Sequence, residues 1–191
     1  MEPAFLNYIN RLQTIVHLEP WEVDLIAKNI FFKSVKKNTI LKQEGSTIKE
    51  LYFVVSGCVR VYNVKKDNQE STRSISFENT YCWAINFLNN LPIHEYIEAL
   101  ADSELLVFTK EKFYHLVDTS PNFRKVYMIS LENIALIYAS RVEGLLSLDA
   151  YERYQKLLSN SPDIVLSISN KIVASYLGIT EQSLSRIKAR R

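Results

Sequence analysis

The sequence predicts an α+β chain in three parts: an N-terminal β-barrel or jelly roll over 1–117, a long helix over 118–147, and a helical C-terminal unit over 148–191. Three observations carry this expectation. Between Phe31 and Phe108, short apolar runs of β type recur with polar turns between them. From Pro121 to about Leu148, apolar residues recur at steps of three or four. After Ile168, two short helical patterns flank Gly178. At 191 residues, 47% hydrophobic and 23% charged, the chain has the composition of a globular protein with a substantial core.

Residues 1 to about 30 read as helices. Phe5, Leu6, Ile9 and Leu12 share one face, and Pro20 opens a second segment with Trp21, Leu25 and Ile26. The period then changes. Ile40-Leu41, Leu51 to Val55, Val59 to Tyr62, Arg73 to Phe77, Tyr96 to Leu100 and Glu104 to Phe108 read as strands. Val59, Val61 and Asn63 alternate with Arg60, Tyr62 and Val64, and Lys65 to Glu70 is a polar turn. Lys110 to Phe113 begins a helix. Of the four glycines, Gly45 and Gly57 punctuate strands, Gly144 is a candidate hinge and Gly178 joins two helices.

Along the long helix, Tyr127, Leu131, Ile134, Tyr138, Val142 and Leu145 form a stripe. Such a stripe suits a two-stranded coiled coil and hence a homodimer. It equally suits a helix lying on the barrel, and one helix can do both. A two-fold dimer would set two terminal units about one DNA turn apart.

The terminal segment has the layout of a helix-turn-helix. Ile172, Val173, Tyr176 and Leu177 make an apolar face, Gly178 suits the chain reversal, and Thr180 suits an N-cap. Leu184 and Ile187 then face inward, leaving Glu181, Gln182, Ser185, Arg186 and Lys188 to face out. From Ser169 onward five cations (Lys171, Arg186, Lys188, Arg190, Arg191) stand against Glu181, a formal +4 when the whole chain carries +2. The positive excess sits where double-stranded DNA phosphates would be met. A helical hairpin with a solvated basic tail is the plain alternative.

Other classes find little support. No apolar run is long enough to cross a membrane, and Met-Glu-Pro-Ala-Phe-Leu-Asn does not begin as a signal peptide. The expectation is a reduced, cytoplasmic protein with Cys58 and Cys82 free, a disulfide between them being the alternative. His17, His94 and His115 are dispersed, and no Ser-His-Asp or Cys-His set stands out. No metal, cofactor or enzymatic activity is therefore expected.

The barrel, long helix and terminal helix pair, in this order, resemble the CRP/FNR superfamily of bacterial transcription factors over nearly the full length. The resemblance rests on Ile40-Leu-Lys-Gln-Glu-Gly45, Leu51-Tyr-Phe-Val-Val-Ser-Gly57 with Val59-Arg-Val61, Glu104 to Phe113, and Ala174 to Arg186. It implies a homodimeric, sequence-specific regulator whose second terminal helix reads DNA, with RNA polymerase a possible partner. Carried over, Glu181, Gln182 and Arg186 are the base-reading candidates, and Ser169, Thr180 and Ser183 the phosphate contacts. Lys188, with Arg190 and Arg191, would partly replace a β-hairpin wing that these residues leave no room for.

The barrel departs from the family pattern. Cys82-Trp83 stands where cyclic-nucleotide binders carry Gly-Glu, and Pro92-Ile-His-Glu-Tyr96 where they carry the phosphate-binding Arg, leaving His94 as the nearby cation. Weak or no cyclic-nucleotide binding is expected, since a buried phosphate would be poorly compensated. Arg60, Arg73, Tyr81, Trp83 and Tyr96 are candidates to line a pocket for another small-molecule effector. Trp83 filling that pocket is the equal alternative. The regulator is then expected to answer to an unknown effector or to be constitutively active. A sensor module acting through protein contacts, without DNA, is the alternative.

Overall fold

The computed structural model describes residues 3–47, 49–83, 86–89, 92 and 94–189. Helices α1 (Pro3–Gln13) and α2 (Pro20–Lys28) precede strands β1 (Phe31–Val35), β2 (Ile40–Lys42), β3 (Glu50–Ser56), β4 (Cys58–Val64), β5 (Glu70–Phe77) and β6 (Thr80–Cys82). Helix α3 (Asn86–Asn89), β7 (Tyr96–Ala99) and β8 (Ser103–Thr109) follow. The rest is helical: α4 (Lys110–Thr119), α5 (Pro121–Ser147), α6 (Ala150–Asn160), α7 (Pro162–Ser167), α8 (Asn170–Leu177) and α9 (Glu181–Ala189).

The strands form two antiparallel four-stranded sheets, β1-β8-β3-β6 and β2-β7-β4-β5, a jelly-roll-like arrangement. Pairs such as Phe53 with Leu106 and Val61 with Ile97 set the registers. Leu51 to Val54, Val59, Val61 and Leu105 to Phe108 make the inner core. Both faces of β3 and β8 are covered, so those strands read as continuous apolar runs rather than alternating ones. Three-residue β6 falls outside the strands expected from sequence, and Leu100 lies beyond the end of β7. On α1, Phe5, Ile9 and Leu12 are buried as expected, but Leu6 faces solvent and Tyr8 takes the remaining inner position.

Cys58 and Cys82 are both buried free thiols. Burial pushes each up to about 12, so neither is a thiolate at neutral pH.

Glu22 ties α2 to the start of α5. It is fully buried and accepts hydrogen bonds from the Ser120 hydroxyl and from Asn122 Nδ2 at 2.8 Å, and closes a capping box with the Glu19 N–H at 3.0 Å. Burial opposes the charge, but the bonds from Asn122, Ser120 and the Glu19 backbone outweigh it and hold the carboxyl below its ordinary value. A depressed carboxylate contributes stability above its unfolded pKa that is lost as pH falls through the folded one. Glu22→Ala is expected to cost about 2–3 kcal/mol at neutral pH, since the Ser120 hydroxyl, the Asn122 side chain and the Glu19 and Asn122 N–H groups lose their acceptor. Urea unfolding at pH 7 and at pH 3.5 checks this: the gap between wild type and variant should narrow at the lower pH.

Helix α5 runs unbroken through Gly144, which has ordinary helical backbone, and ends at Leu148. No break or unusual backbone marks the helix at Gly144. A Cβ there would meet only Leu148 Cδ1, at 3.8 Å. Of the six stripe residues, Tyr127, Leu131 and Ile134 pack on the chain's own barrel, and Tyr138 bonds to Arg73 of β5. Val142 and Leu145 alone of the six are exposed. The outward apolar residues of α5 also include Met128 and Leu146, which the stripe omitted. Apolar side chains on both flanks hide this division from periodicity.

Candidate nucleic-acid interface and barrel cavity

Helix α8 ends in the left-handed Gly178 (φ 71°), and the Ile179 N–H closes back on the Ala174 carbonyl at 3.1 Å. Thr180 caps α9, its hydroxyl accepting from the Ser183 N–H at 3.2 Å and meeting the Ser183 hydroxyl at 2.9 Å. Leu184 and Ile187 plug α9 into a second apolar cluster with Tyr154, Leu157, Ile164, Val173 and Leu177. These anchors fix which face of α9 points outward. Glu181, Gln182, Ser185 and Arg186 are exposed on it.

The seven nucleic-acid candidates divide. Among the described residues, Glu181, Gln182 and Arg186 have no hydrogen-bond or ion-pair partner in the chain. Thr180 and Ser183 share the N-cap, which leaves their hydroxyls partly engaged. Ser169 is exposed at the N-terminus of α8, its side chain making no cap bond to the helix. Lys188 reaches back to Asn170 Oδ1 at 2.6 Å and so lies across the two helices. Arg190 and Arg191 lie outside the described residues. Lys171, counted with the basic end, is spoken for by Glu70 of the barrel at 3.3 Å.

The five pocket candidates are not brought together. Arg60 and Tyr96 stand on the side of β4 and β7 opposite Val59, Val61 and Ile97, which fill the core. There Arg60 is held between Glu70 (2.7 Å) and Glu98 (2.6 Å) with its guanidinium 3.9 Å from the Tyr62 ring centroid. Tyr62 in turn stacks on Tyr96. Burial works against the Glu70 charge, but Arg60 and then Lys171 pull its carboxyl below the ordinary range.

Arg73, Tyr81 and Trp83 do border one cavity of about 440 Å³, which also touches α5 and α7. Arg73 is already paired there. Its guanidinium bonds both oxygens of Glu95, the Tyr138 hydroxyl and the Trp83 carbonyl. Tyr81 shares a 2.6 Å hydroxyl contact with Tyr8. Trp83 lies against Phe87, Phe113 and Tyr127 as part of an aromatic cluster, so it fills space. His94 is exposed, 3.8 Å from Glu44. A ligand phosphate here would have to displace Glu95 from Arg73, which disfavours it.

Sequence reasoning missed the seam between the barrel and the terminal helices. The Thr72 and Ser175 hydroxyls meet at 2.6 Å. Arg141 Nη2 donates to the carbonyls of Thr72 (3.1 Å) and Tyr176 (2.7 Å) while its guanidinium sits 4.0 Å from the Tyr176 ring centroid. Ile75 and Phe77 of β5 pack on the terminal cluster. The partners are 35 to 103 residues apart in sequence, so no local pattern announces them.

Residues 32–120 match the family model of the cyclic nucleotide-binding domain. The solved structures then place the whole architecture. A protein from Eubacterium rectale assigned to the CRP/FNR family of transcriptional regulators superposes with a TM-score of 0.70 at 19% identity, covering 91% of this chain and 83% of its own. The chain shares the fold of that protein. FixK2 from Bradyrhizobium japonicum gives 0.73 at 17% identity, covering 84% of this chain and 83% of its own. The c-di-GMP-responsive regulator CLP from Xanthomonas campestris gives 0.71 at 16% identity over 90% and 91%. Among curated proteins, none matches the chain by sequence. Within this fold the chain pairs Arg73 with Glu95 and leaves Glu181, Gln182 and Arg186 of α9 exposed.

Proposed function

We propose that the chain is a homodimeric, sequence-specific DNA-binding transcription regulator of CRP/FNR type that needs no cyclic nucleotide. One observation carries the reading: α9, locked by Leu184 and Ile187, offers Glu181, Gln182 and Arg186 outward with no partner of their own. Arg can grip guanine through two bonds, Gln adenine, and Glu accepts from cytosine. Helices α8 and α9 then act as a helix-turn-helix, α9 entering the major groove. The protein would work in the cytoplasm, beside RNA polymerase, and catalyse nothing. Fragment selection followed by a salt titration tests this.

A single recognition helix reads too few bases, so the reading needs a dimer. Met128, Ala135 and Val142 are seven residues apart on the outward side of α5, as are Ala139 and Leu146, and all five are exposed. This is coiled-coil spacing. Val142→Glu, which buries a charge in that seam, is expected to turn a dimer into a monomer at micromolar concentration in sedimentation equilibrium. A variant that stays dimeric places the interface elsewhere.

The seam between β5 and α8 favours a second reading, a sensor whose helical end serves protein contacts: the Ser175 hydroxyl meets that of Thr72, and Lys171, though exposed, pairs with Glu70 of the barrel. Salt dependence of DNA binding separates the two.

A further inference from the structure

A second cavity, of about 390 Å³, opens between the C-terminal half of α5, α6 and the end of α8. Small-molecule sites have volumes of this order. Its apolar lining includes Ile137, Gly144, Leu145, Leu148, Leu157 and Leu177. Three cations border it, Arg141, Arg153 and Lys156, and no Asp or Glu does.

Each of these cations is satisfied only by neutral acceptors. Arg141 bonds the Thr72 and Tyr176 carbonyls, Arg153 the Leu148 (2.6 Å) and Leu177 (3.2 Å) carbonyls, and Lys156 the Ser140 hydroxyl (3.0 Å). Among the described residues none of the three has a carboxylate partner. In the barrel, by contrast, Arg60 and Arg73 are both neutralised by glutamates. The carbonyl ends of α5 and α8 compensate in part, contributing roughly half a negative charge each. About two of the three positive charges at this apolar cleft are left over.

The geometry points to a binding site for an amphipathic anion, an aliphatic chain ending in a carboxylate or a phosphate. The chain lies on the leucines, and the head meets Arg141, Arg153 and Lys156, which hold charge-assisted bonds stronger than neutral ones. Gly144 lines the site: a Cβ at this point would meet only Leu148 Cδ1, at 3.8 Å, and a longer α5 side chain would stand in the cleft.

Calorimetric titration of the full chain with octanoate, octyl phosphate and octanol tests the site. Saturable binding of one of the two anions per chain is expected, with octanol at least tenfold weaker. The tighter of the two anions identifies the head. Lys156→Gln, which loses only an exposed bond to Ser140, should weaken the anion at least threefold. Gly144→Leu should abolish binding while the variant stays folded by thermal unfolding; if it does not fold, Ile137→Trp serves as the plug. Absence of saturable binding by both anions, equal affinity for octanol, or unchanged anion affinity in a folded plugged variant overturns the site. No DNA enters this measurement, so its failure leaves the regulator reading untouched.

Discussion

Gly57→Ala is expected to destabilise the chain by about 2–5 kcal/mol, summing a left-handed backbone for an L residue with a forced shift in a packed core. Gly57 sits between β3 and β4 at φ +89°, and its Cα passes over the start of β8. A Cβ there would lie 2.5 Å from the Asp102 carbonyl oxygen and 2.8 Å from Ser103 Cα, and closer still to the Ser103 hydroxyl. That hydroxyl accepts from the Cys58 N–H at 3.1 Å and donates to the Ala101 carbonyl at 2.8 Å, so moving it breaks two buried bonds. Gly45 is the control: its φ is +83°, yet a Cβ would meet no atom within 4 Å. Gly45→Ala should lose only the conformational part, about 1–2 kcal/mol. Urea unfolding of the two variants checks the difference. Equal losses would mean that backbone conformation alone, and not the approach of β8, dictates glycine at 57.

The second large effect is on DNA. Arg186→Ala should weaken binding to the chain's preferred site by about 1–3 kcal/mol, roughly 5- to 150-fold in Kd, and bind random DNA almost as the wild type does. The asymmetry follows from geometry. Arg186 is exposed on the outer face of α9 and has no internal partner, so its removal leaves the fold intact. Anisotropy titrations on both DNAs measure it. Equal losses would reduce Arg186 to a phosphate contact.

How much of this was legible depends on what each signal encodes. Leu51 to Val55 and Leu105 to Phe108 are covered on both faces, so their runs stand out and the barrel could be read directly. Gly178 and Thr180 mark the turn and cap of the terminal helices because left-handed backbone and N-capping each demand few residue types. The pocket was not legible in the same way. Alternation says that Arg60 and Val61 face opposite sides but not which side is enclosed, so it cannot tell that Arg60 and Tyr96 stand apart from Arg73 and Trp83. The pairing of Arg73 with Glu95 spans 22 residues and two strands, and a single sequence carries no trace of it. On α5 the period holds and the stripe divides, Tyr127, Leu131 and Ile134 on the barrel and Val142 and Leu145 exposed. Tyr127 and Met128 are neighbours, one packed on the barrel and one in solvent, and both fit an apolar repeat.

Selection of DNA fragments by the purified full-length chain, without added nucleotide, followed by anisotropy of the enriched fragments across a salt series, tests the central claim most directly. The account predicts a two-fold-symmetric site whose half-sites lie about one helical turn apart and whose affinity falls steeply with salt. Enrichment of no sequence, or binding indifferent to salt, would contradict it.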